Sequence, residues 1–177
     1  FVGIKKGIEN TNYLLKTKNN KYILTIFEKR VANKDVPFFM KLMDLLNSKK
    51  INCPKPIKNL EDEYLIKIKG KLACIVTFLD GKDKKVLTTN NCYQVGMIIG
   101  KMHKITNKFK IKRENSMGMK NMPKLLKSIN FKKIKFAKNI KQNLEKTQIE
   151  INKKWPANLP QGIIHGDLFI DNIFFKK

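Results

Sequence analysis

The chain has 177 residues, enough for one ordinary domain or for two small lobes sharing a cleft, and 42% of them are hydrophobic, ample for a packed core. This content excludes disorder as the default, and no run of about 18 apolar residues is present that could span a membrane as a helix. The net charge of +24 is almost wholly Lys, with Arg only at Arg30 and Arg113; sequence-specific nucleic-acid readout favours the planar Arg fork, so the lysines are expected on solvated faces, leaving only weak attraction to polyanions.

Residues 1 to about 28 read as strands. Tyr13–Thr17 and Tyr22–Phe27 are rich in β-branched and aromatic residues, and Lys18-Asn19-Asn20-Lys21 between them is a polar hairpin turn. Gly7-Ile8-Glu9-Asn10-Thr11-Asn12 combines one glycine with small polar residues between strands. Such a segment is either an ordinary turn or one that presents backbone N–H groups and side-chain amides to a phosphate.

Asp35 to Lys50 is predicted as a helix. Val36, Phe39, Met43 and Leu46 recur at helical spacing, Leu42 and Leu45 broaden the stripe, and Asp35 precedes Pro37 as an N-cap. Cys53-Pro54-Lys55-Pro56-Ile57 must be extended, because each proline restricts itself and its predecessor. Tyr64–Ile68 and Leu72–Phe78 flank a Lys-Gly-Lys turn as a further hairpin. At Leu79-Asp80-Gly81 the pattern gives way to a charged linker, and a boundary is expected there between lobes at 1–80 and 81–177.

Beyond it, Cys92, Val95, Ile98, Ile99 and Met102 form an apolar stripe from about Asn90 to Lys104, with His103 expected as a packed, hydrogen-bonded core residue. Residues 105–122 read as irregular. Further helices are predicted at Pro123 to about Asn130 and at Phe136 to Lys154, the second with Ile140, Leu144 and Ile151 on one face and stopped by Trp155-Pro156. Cys53, Cys74 and Cys92 have neither disulfide nor metal-ligand spacing and are expected to be small core thiols in a reducing cytoplasm.

The stretch Ile163-Ile164-His165-Gly166-Asp167-Leu168-Phe169-Ile170-Asp171-Asn172 carries the chemistry. Two apolar runs bracket a short loop bearing a carboxylate at Asp167 and a carboxamide at Asn172. The order His-x-Asp-x-x-x-x-Asn is that of a kinase catalytic loop, in which the carboxylate accepts a hydroxyl proton and the amide oxygen holds Mg²⁺ against the phosphates of ATP. An Asp and an Asn in a plain surface turn are the simpler alternative.

Taken with Tyr22–Arg30, Pro37-Phe38-Phe39, Cys53–Ile57, Phe78-Leu79-Asp80-Gly81 and Val95–His103, these segments resemble, over essentially the whole chain, the homoserine kinase branch of the aminoglycoside-phosphotransferase and choline-kinase-like superfamily. The resemblance implies an α+β, bilobal, protein-kinase-like fold: an antiparallel sheet with one helix, then a mainly helical lobe. ATP would lie between the lobes, adenine against Phe78, Leu79 and Asp80, phosphates under Gly7, Asn10, Thr11 and Asn12. Asp167 would be the base, Asn172 a Mg²⁺ ligand and His165 an anchor of the loop. The acceptor would be L-homoserine, on the route to threonine, in the cytoplasm.

Two departures from the superfamily's pattern accompany the resemblance. Thr25 stands where protein kinases place a phosphate-pairing Lys, with Lys29 and Arg30 the nearest candidate replacements. A second metal-binding Asp and the later helices of the acceptor pocket are not found before Lys177, so the sequence is expected to be a fragment, and impaired as such. Kinases for choline, methylthioribose or an aminoglycoside share the same loop. From other classes, a basic nucleic-acid-binding module and an inactive structural remnant remain as alternatives.

Overall fold

A computed structural model describes residues 2–4, 10–28, 31–134 and 139–176. Gly7, Lys29 and Arg30, and the first residues of the helix expected from Phe136, lie outside the described residues. The fold is α+β. Six antiparallel strands, β1 (Val2–Ile4), β2 (Asn10–Lys16), β3 (Lys21–Phe27), β4 (Pro56–Ile57), β5 (Ile66–Ile68) and β6 (Lys71–Thr77), form one sheet in the order β1-β2-β3-β6-β4, with β5 also on β6. The hairpin turn expected at 18–21 closes β2 on β3, pairing Lys16 with Lys21 and Asn12 with Thr25.

The predicted stripe of the first helix packs as expected. Helix α1 (Val36–Ser48) sets Val36 and Met40 against Phe27, Cys74 and Val76 of the sheet, with Val36 fully buried. Its C-terminus is closed by Lys50 at φ 59°, with Lys50 N–H donating to Asn47 O and Ile51 N–H to Leu46 O, both at 2.9 Å. This is the double bond of a Schellman stop, and the accompanying Leu46–Ile51 contact joins Met102 in a second cluster. At the other end Asp35 makes no side-chain cap bond, because a 3₁₀ turn over Asn33–Asp35 has already brought its backbone into the helical region.

The chain divides into two compact units, Phe1–Lys112 with Gly162–Lys177, and Arg113–Gln161. Residue 80 lies inside the first. That unit also contains α2 (Thr89–Thr106), opened by a capping box in which Thr88 and Asn91 exchange side-chain-to-backbone bonds of 3.2 Å. Only part of the expected α2 stripe is covered: Met102 is buried and Ile99 packs beside it, whereas Cys92 and His103 are exposed and Ile98 is half exposed. The expectation of His103 and Cys92 as core residues is therefore corrected, since just one edge of the stripe meets α1. In the second unit, α3 (Met122–Ser128) and α4 (Ile140–Lys154) are helical as expected, but Ile140, Leu144 and Ile151 are each about 40% exposed, so that stripe is not a covered core face either.

Candidate active site

The loop at 163–173 is shaped by its glycine. Gly166 adopts φ 77°, a left-handed conformation that a side chain would strain, and the reversal folds the His165 ring onto the following backbone. His165 Nδ1 accepts from Asp167 N–H at 3.4 Å. A single 3₁₀ turn, Ile170–Asn172, then carries the chain back, and Asn172 N–H donates to Phe169 O at 3.0 Å.

That turn brings together Asp167 and Asn172, to which the sequence assigned separate roles. Asn172 Nδ2 donates to the Asp167 carbonyl at 2.9 Å and to Asp167 Oδ2 at 3.1 Å. With its NH₂ engaged twice, the carboxamide has a fixed direction, and among the described residues neither Asn172 Oδ1 nor Asp167 Oδ1 accepts a protein hydrogen bond. Two oxygen donors at one exposed loop suit a hard divalent cation that retains water and phosphate oxygens as further ligands. Among the described residues no cluster of three or more His, Cys, Asp or Glu side chains stands ready to hold a metal ion.

On the sheet, Asn10, Thr11 and Asn12 belong to the start of β2, not to a loop before it, and their side chains are tied to neighbours. Asn12 Oδ1 accepts from Thr25 Oγ1 at 2.8 Å, Thr11 Oγ1 donates to Glu28 Oε1 at 2.9 Å, and Asn10 Oδ1 accepts from Glu28 N–H at 3.4 Å. Glu28 also pairs with Lys71 of β6. Thr25, at the position where a Lys was expected from protein kinases, thus holds β3 to β2 through a neutral hydrogen bond. Sequence reading missed Glu28 and Lys71: they are 43 residues apart, and no local spacing links them.

Phe78, Leu79 and Asp80 continue from β6. Phe78 N–H donates to Lys21 O at 3.2 Å, and Lys21 Nζ lies 5.5 Å from the Phe78 ring centroid. Leu79 is half-buried and Asp80 exposed. Directly after them Lys82 and Phe175 form an antiparallel bridge, with N–H···O distances of 3.0 and 2.9 Å, so the segment at 78–80 and the loop at 167–172 are tied three residues beyond Asn172. Two open clefts flank helices elsewhere, one along α1 beside Tyr64 and one on α4 beside Trp155, and neither is lined by these residues.

The sequence profile of the phosphotransferase enzyme family (APH) matches residues 1–177. Homoserine kinases of Chelativorans sp. (strain BNC1) and Rhodopseudomonas palustris (strain TIE-1) are 36% and 38% identical to the chain over 99% of its length, which corresponds to 54% of theirs. The chain thus spans about half the length of the curated relatives it matches. Of solved structures, an amicoumacin kinase in complex with AMP-PNP, Ca²⁺ and Ami aligns with a TM-score of 0.75 at 18% identity, over 97% of this chain and 54% of that one. A spectinomycin phosphotransferase in complex with ADP and spectinomycin aligns with a TM-score of 0.63 at 15% identity, over 99% and 59%. These likenesses establish a protein-kinase-like fold.

Proposed function

Because the chain belongs to the phosphotransferase enzyme family, we propose that it serves an ATP-dependent kinase that phosphorylates the side-chain hydroxyl of L-homoserine, giving O-phospho-L-homoserine and ADP. The observation that carries this reading is the Asn172–Asp167 pair, a carboxylate held beside a directed carboxamide on a loop of kinase spacing. The curated relatives, named homoserine kinases, supply the acceptor.

In this reading Asp167 takes the proton from the acceptor hydroxyl as its oxygen bonds to the γ-phosphorus and the bond to the β,γ-bridging oxygen breaks, that electron pair leaving on ADP. Asn172 Oδ1 would hold Mg²⁺, which would supply positive charge to neutralise the phosphates. Asn172 Nδ2 steers the carboxylate, and His165 and Gly166 keep the loop's bend. The adenine lies against Leu79 and Asp80, with Phe78 beside them, its own N–H already used by Lys21. The phosphates lie near the start of β2, where Asn10, Thr11 and Asn12 act through the rigidity their bonds to β3 and Glu28 confer; Gly7 is assigned to the same phosphate site from the sequence alone. The lobes of the kinase are those of residues 1–80 and 81–177, and the reaction belongs to threonine biosynthesis in the cytoplasm.

An ADP-release assay on the full-length protein, with L-homoserine, choline and no acceptor in parallel, tests the reading. Release that requires both Mg²⁺ and L-homoserine supports it. Release with choline alone moves the substrate within the superfamily, and none with any acceptor refutes the activity.

A further inference from the structure

Gly81 stands one residue past the segment proposed to hold adenine, at φ 150°, in a region of backbone space that side chains rarely enter. A Cβ there would lie 3.0 Å from Phe174 Cβ and 3.2 Å from the carbonyl oxygen of Phe175. Both are backbone or near-backbone atoms with no flexible end to give way. The missing side chain is thus what lets the linker close on the segment that leaves the catalytic loop. Immediately beyond, Lys82 and Phe175 exchange both backbone bonds, at 3.0 and 2.9 Å. Lys84 then clamps the same segment: its Nζ lies 5.0 Å from the Phe175 ring centroid and donates to Asn91 Oδ1 at 3.2 Å, in the capping box of α2.

We infer that Gly81 is a positioning residue: its close approach to Phe174 and Phe175 sets the distance between the nucleotide-holding segment at 78–80 and the Asp167–Asn172 pair. The inference rests on the kinase reading above. The path is short and covalent on both sides. Asp80 is joined to Gly81, and Phe175 to Asn172 through two residues, so a displacement of the bridge passes to the catalytic amide with little chain to absorb it. Since reacting groups must be held within a few tenths of an ångström, a shift of about 1 Å at this junction costs about 10²-fold in rate while leaving each half able to bind its own ligand.

The test compares wild type, Gly81→Ala and Lys84→Met in the full-length protein, with two readouts. In steady-state turnover, Gly81→Ala should lower kcat by about 10–100-fold with KM for ATP changed less than about threefold, and Lys84→Met should lower it in the same direction by less. In amide hydrogen exchange, Gly81→Ala should speed exchange at Asn172 and Phe175 by tenfold or more and leave the β3–β6 amides unchanged. Unaltered exchange at Asn172 overturns the inference whether or not the wild type is active. Equal losses in kcat and ATP affinity, or faster exchange throughout the sheet, mean that Gly81 merely supports the fold, which also overturns it. A wild type inactive with every acceptor, alongside faster exchange at Asn172, removes the kinase reading and leaves the coupling.

Discussion

Asn172 donates twice to one residue, reaching both the carbonyl oxygen and Oδ2 of Asp167 within 3.1 Å. The bidentate contact makes one unit of two side chains that sequence reading treated as separate functions. It has a testable cost. Asn172→Ala removes the oxygen proposed to hold the metal and releases the Asp167 carboxylate together, so the Mg²⁺ concentration giving half-maximal rate should rise by at least about tenfold and kcat should fall as well. Titrating Mg²⁺ against ADP release measures both; an unchanged Mg²⁺ requirement would remove Asn172 from the metal site.

Thr25 and Asn12 make a neutral bond that ties β3 to β2. Thr25→Val keeps the shape and leaves Asn12 Oδ1 without its donor, so the folded state should lose about 1 kcal/mol. Thr25→Lys places a charge on the face shared with buried Cys74 and should destabilise further, not restore a phosphate contact. Urea unfolding of both variants checks the order.

Met40 is 2% exposed in the cluster that fixes α1 to the sheet. Met40→Ala should cost about 2–5 kcal/mol, seen as a lower urea midpoint with an unchanged slope.

Burial pushes the Cys74 and Cys53 thiols up to about 11 from an ordinary value of 9.0. Above pH 9 the unfolded chain gives up these protons while the folded chain keeps them. The unfolded state then binds fewer protons, and stability falls as pH rises from about 9 towards 11. The fall should be shallower in Cys74→Ala than in wild type. At neutral pH a thiol reagent should label exposed Cys92 first and reach Cys74 only on unfolding.

These residues also show what a sequence discloses. The α1 stripe and the spacing of Asp167 and Asn172 were legible because helical period and loop length are local quantities. The Thr11–Glu28–Lys71 group and the contact of Gly81 with Phe174 were not, because they depend on which strands pair and on backbone geometry fixed by distant chain. His103 and Cys92 were misread for a related reason: periodicity shows that a face is apolar, not that something covers it.

Asp167 is proposed as the base in phosphoryl transfer. The most direct measurement is single-turnover phosphorylation of L-homoserine by full-length Asp167→Ala beside wild type, with nucleotide binding measured on both. If Asp167 is the base, the variant's rate is lower by about 10²–10⁴ with nucleotide affinity nearly unchanged. A variant that transfers phosphate at close to the wild-type rate would contradict it.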